Sequence, residues 1–248
     1  MIESFDRHWP KSIDLHCYVE GFSPSPAGER VQFHDLHASS PDLVAFKSRH
    51  ANNPRAHGSG NRPRWNFRID LARRKFKVKR KTNIGYRWDA VRFSNKVFAM
   101  LDASERSDTD VLIFLDADTY SNRDVPISIL EETIPETCVL GYLGRPREPE
   151  TGFVAYNLRH PATPAFLAAY KAMYTSDSLF RRRQWTDSYL LDIQRKRFER
   201  KGHPFFDIAR GKGRETGHVF STSPLGAYMI HDKGERKPIE NSEELIRR

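Results

Sequence analysis

The stretch Val111-Leu-Ile-Phe-Leu-Asp-Ala-Asp-Thr-Tyr120 decides the reading of this chain. Five apolar residues run into Asp116 and Asp118, one residue apart. The run is too short and too uniformly apolar for a surface helix, so it reads as a buried central strand of a mostly parallel sheet. In an open α/β sheet, ligands gather beyond the carboxyl ends of the strands. Residues i and i+2 of an extended chain face the same side, so both carboxylates can meet one hard cation such as Mg2+ or Mn2+. A plainer alternative stays open, in which the pair opens a turn or caps the next helix.

Working outward, Ile13 to Val19 reads as a first strand, and Gly21 to Gly28 as a Pro/Gly/Ser-rich loop of the kind that borders a nucleotide. Trp88, Val91, Phe98 and Leu101 recur at helical spacing and predict a helix over Trp88 to Ala103. Asp89, Arg92 and Lys96 share a face of it, where the two cations could grip a diphosphate and Asp89 could orient them. Further strands are expected at Cys138 to Leu143 and Phe153 to Asn157, and helices near Pro164 to Tyr174 and Trp185 to Arg200. Alternating strands and helices argue an α/β fold.

The 248 residues are 38% apolar, enough for one sizeable core and a single domain over 1–248. No opening apolar run resembles a signal peptide and no stretch is long enough to span a bilayer, so the expectation is a cytoplasmic protein without a membrane span. Cys17 and Cys138 stand far apart, which argues against a disulfide framework or a zinc site. The net charge of +9 and a sequence pI near 9.6 favour anionic partners. Much of that charge lies between Arg68 and Lys81, in a segment around 39–82 that reads as a basic insertion or flap with a short helix near Leu43 to Arg49. Arg73, Arg74, Lys75, Lys77 and Lys79 are its candidate residues for binding a polyanionic acceptor, beside Trp65, Phe67 and Phe76. A merely solvated surface is the alternative.

Three more motifs follow in order: Glu150-Thr-Gly152-Phe-Val-Ala-Tyr-Asn157, Trp185-Thr-Asp187-Ser188, and His231-Asp-Lys-Gly234-Glu-Arg-Lys237-Pro238. With the Asp-Ala-Asp, they resemble the GT-A glycosyltransferases, most closely the family 8 type that includes glycogenin and galactosyltransferases. The set is also similar to a group of uncharacterised bacterial and phage glycosyltransferases. The likeness runs from about Tyr86 to Pro238 and departs at Glu150-Thr151, at Thr186-Asp187-Ser188 and at Ile239.

That resemblance implies a GT-A, Rossmann-like sheet flanked by helices and a manganese or magnesium ion held by Asp116, Asp118 and His231. It implies a nucleotide-sugar donor, with a UDP-sugar as the leading expectation, met by Gly152, Gly234, Lys237 and a basic residue of the preceding helix. Arg87 and Arg92 suit that last role better than Lys96. Asp187 would contact the sugar or assist the chemistry, and Asp187 and Glu150 are the candidate bases if configuration inverts. The acceptor is unassigned, and DNA carrying hydroxymethylated pyrimidines is one alternative. Two other readings stand beside it. The Asp-x-Asp-x-Thr pattern also resembles haloacid-dehalogenase-type phosphatases, with an aspartate nucleophile. A non-catalytic nucleic-acid-binding protein is the second.

Overall fold

The computed structural model describes residues 1–25, 27–58, 64–70, 75–81, 85–211 and 218–232, with 64–70 and 75–81 described by their backbone. The chain is a mixed α/β structure. In order, it forms α1 (Ile2–His8), β1 (Leu15–Val19), β2 (Val31–Asp35), α2 (Leu36–Ser39), α3 (Pro41–His50), β3 (Arg64–Asp70), β4 (Lys75–Lys81) and α4 (Ala90–Arg106). Then come β5 (Val111–Leu115), β6 (Thr119–Ser121), α5 (Ile127–Glu131), β7 (Leu140–Leu143) and β8 (Glu150–Asn157). The last described part holds α6 (Thr163–Thr175), α7 (Asp187–Glu199), β9 (Phe206–Asp207), α8 (Val219–Thr222) and β10 (Met229–His231).

The main sheet has the order β5-β8-β7-β9. It is mixed rather than mostly parallel, because β8 runs antiparallel to both β5 and β7, while β7 and β9 are parallel. The reason lies in the connection. The link 144–149 between β7 and β8 is short, which suits an antiparallel return; a parallel neighbour would need a crossover of a dozen residues or more. The strand buried along its whole length is therefore β8, while β5 keeps partial exposure. The expectation of a fully buried central strand at Val111 to Leu115 belongs instead to its neighbour.

Strand alternation divides the interior into two cores. Val154 and Tyr156 of β8 enter one, with α3, α4, α6 and α7; Phe153 and Ala155 enter the other, with α1, β2 and α8. The chain thus packs helices on both faces of the sheet. Two smaller sheets flank it: β1 pairs parallel with β2, and β6 pairs antiparallel with β10.

The segment 39–82 is not one flap. Its first part, α3, starts on Pro41 and buries Leu43 and Phe46 completely, so it belongs to the core. Its later part is an antiparallel hairpin, β3 with β4, which places the basic run on strands. Cys138 is buried and Cys17 partly buried, both as free thiols. No helix among the described residues is long and apolar enough to cross a membrane.

Candidate metal and donor site

Beyond the carboxyl end of β5 the chain turns tightly. The Thr119 N–H donates to the Asp116 carbonyl at 2.9 Å, and the Asp116 N–H donates to the Gly152 carbonyl at 3.0 Å. Pairing of β6 with β10 then sets His231 opposite Thr119, and the Asp232 N–H donates to the Asp118 carbonyl at 3.1 Å. Local turn geometry and one three-residue ribbon so bring position 231 back onto positions 116 and 118. The His231 ring is fully buried, with Nε2 3.1 Å from Asp118 Oδ1 and 3.6 Å from Asp116 Oδ2.

Gly152 makes that placement possible. A Cβ there would lie 2.4 Å from His231 Cε1, closer than any real contact, so only glycine lets the ring sit against β8. The glycine thus serves the histidine.

Lys96 ties a second half of the site together. From α4 its Nζ donates to Asp116 Oδ1 at 2.7 Å and to the Thr151 carbonyl at 2.7 Å, and lies 2.9 Å from Asp187 Oδ2. Asp187, the first residue of α7, also accepts from Thr151 Oγ1 at 2.7 Å, while Thr186 caps the helix by accepting the Tyr189 N–H. Burial pulls the Lys96 ammonium towards neutrality, but the Asp187 and Asp116 carboxylates outweigh it and hold it above the usual lysine range. Burial pushes the Asp116 carboxyl up despite Lys96, with the Asp187 charge adding to the rise.

Glu150 completes the cluster. It is 1% exposed, accepts from Arg145 Nη1 at 2.9 Å and from the Gly152 N–H at 3.2 Å, and lies 3.4 Å from His218 Nε2. Asp116, Glu150 and His231 each offer one ligand atom, and these atoms lie within 4.8 Å of one another. Two carboxylate oxygens and an imidazole suit a divalent cation such as Mn2+. The residues therefore fit a divalent metal.

The other expected residues divide. Asp89 caps α4, accepting the Arg92 N–H at 3.1 Å, so it organises the helix start and not a pair of cations. Arg92 is exposed, and Arg87 lies over the Tyr86 ring. Lys96, rather than either arginine, is the α4 cation that reaches Asp116. Glu150 groups with Asp116 and His231. Gly234, Lys237, Arg73 and Arg74 lie outside the described residues, and Lys75, Lys77 and Lys79 belong to β4. Thr151, Arg145 and His218 were not expected at all; only the adjacency of Thr151 to Gly152 could have flagged one of them.

No protein-family model matches the chain, and no curated protein matches its sequence.

Proposed function

We propose that the chain is a metal-dependent glycosyltransferase of GT-A type, moving a sugar from a nucleoside diphosphate sugar to an acceptor hydroxyl. One observation carries the reading. Asp116, Asp118, Gly152, Asp187 and His231, which the resemblance names separately, meet beyond one strand end: Lys96 joins Asp116 to Asp187, and His231 packs on Gly152 and lies 3.1 Å from Asp118.

Asp116, Glu150, His231 and Asp118 would hold the cation, which when bound neutralises charge on a departing diphosphate. Lys96 supplies fixed positive charge at the same place, without reorganisation during the reaction. Asp187 stands at the start of α7 and accepts hydrogen bonds, a suitable partner for sugar hydroxyls. Both candidate bases already have donors beside them: Lys96 and Thr151 at Asp187, and Arg145 and the Gly152 N–H at Glu150.

The test is a thermal-shift panel of nucleoside diphosphates and nucleotide sugars, with and without Mn2+. Stabilisation by one nucleotide that needs the metal and vanishes in Asp116→Ala/Asp118→Ala is the expected result. A flat panel with folded protein defeats the proposal. Hydrolysis of an aryl phosphate abolished by Asp116→Asn would put a phosphatase in its place.

A further inference from the structure

The β3–β4 hairpin sorts its residues by chemistry. Its register pairs Arg64 with Lys81, Asn66 with Lys79, Arg68 with Lys77 and Asp70 with Lys75. Alternation puts these pairs on one face, so Arg64, Arg68, Lys75, Lys77, Lys79 and Lys81 share it with a single acid. The intervening pairs, Trp65 with Arg80, Phe67 with Val78 and Ile69 with Phe76, share the opposite face and are mostly apolar.

Such a basic face works against the hairpin itself. Like charges directly opposite each other across two strands are destabilising, and Arg64–Lys81 and Arg68–Lys77 are two such pairs. Local rules broken without a gain in stability point to function. A polyanion would remove the repulsion. Spacing suggests which one: alternate residues of a strand repeat every ~6.8 Å, about twice the ~3.4 Å axial step between phosphates on one strand of a duplex. A two-stranded ribbon also has the width that a major groove admits.

We propose that this face binds double-stranded nucleic acid through its phosphates, without reading sequence. An anionic membrane would bury the opposite, apolar face and use the cations from the other, so vesicles form one arm of the test; the phosphate spacing and the groove width favour the duplex. The inference stands whether or not the nucleotide-sugar reading does, and together with that reading it would make a duplex the acceptor.

The experiment is fluorescence anisotropy of a mixed-sequence 20-base-pair DNA titrated with the full chain across a salt series. Contact with six phosphates gives a log–log salt slope of about −5. Replacing Lys75, Lys77, Lys79 and Lys81 with Gln should make the slope shallower by roughly 3 to 4, at about 0.9 per phosphate. That variant should melt close to the parent, because it removes two like-charge pairs against one opposite-charge pair, Asp70 with Lys75, and should keep any metal-dependent nucleotide stabilisation. Replacing Arg181, Arg182 and Arg183 with Gln should leave the slope within about one unit of the parent, if the hairpin carries the contact. Three outcomes overturn the proposal: no binding at low salt, an equal loss in the arginine control, or hairpin-dependent binding to vesicles of 30% phosphatidylserine in phosphatidylcholine without binding to DNA.

Discussion

Two aspartates on α7, Asp187 and Asp192, are buried alike at 6% and 5% exposure, yet they belong to different kinds of network. Asp192 is neutralised from its own helix, by Arg195 at 2.6 Å and Lys196 at 2.7 Å, one turn away. Asp187 is met by Lys96 from α4 and Thr151 from β8, and shares its cation with Asp116. The first network needs only helical spacing and serves α7. The second needs three elements brought together and shares one lysine between two carboxylates. Burial alone does not mark a site; carboxylates gathered on one cation from separate elements at the end of a strand do.

The contrast breaks most readily at Lys96. Lys96→Met removes the cation that Asp116 and Asp187 share. The expected cost is about 3–5 kcal/mol in urea denaturation with EDTA present. Mn2+ should restore part of it, since a divalent ion supplies the missing charge. A loss no greater than that of a substitution at Arg195 would mean the two networks are equivalent.

Gly152→Ala probes the same site by shape. The added methyl meets His231 at 2.4 Å and must displace it. Overpacking of this kind costs about 1–3 kcal/mol. The decisive readout is the metal response, which should disappear even where the protein stays folded. Retained Mn2+-dependent nucleotide stabilisation would remove His231 from the ligand set.

The part of this arrangement that depends on local pattern was legible in the sequence. β5 begins and ends where five apolar residues do, and α4, α6 and α7 follow periodicities that one helix face dictates. Asp116, Asp118, Gly152, Asp187 and His231 each stand in a short motif of the sequence. What was not legible depends on how elements meet. On a helical wheel Asp89, Arg92 and Lys96 form one row, but Asp89 turns to the backbone as a cap and Arg92 stays exposed. Only Lys96, a turn further on, comes level with the end of β5. The antiparallel course of β8 is equally silent in its composition, because a fully buried strand reads the same in either direction. Arg145 and His218 reach Glu150 from loops with no motif around them, and three-residue strands such as β6 and β10 are too short to show any period.

The smallest effect is expected at the helix-local network, and it sharpens the comparison by what it leaves alone. Arg195→Ala loses contacts to Asp192 and Glu199 and the stacking of its guanidinium 4.5 Å from the Tyr142 ring centroid. Asp192 keeps Lys196, so no charge is stranded, and the cost should be about 1.5 kcal/mol, the low end for a hydrogen bond to a charged group. The nucleotide and metal responses should be those of the parent, because the contacts of Arg195 among the described residues run to Asp192, Glu199 and Tyr142. If Arg195→Ala instead weakened the Mn2+-dependent shift, the two ends of α7 would be energetically coupled. The helix would then be part of the site along its length, rather than a scaffold that delivers Asp187 at its first residue.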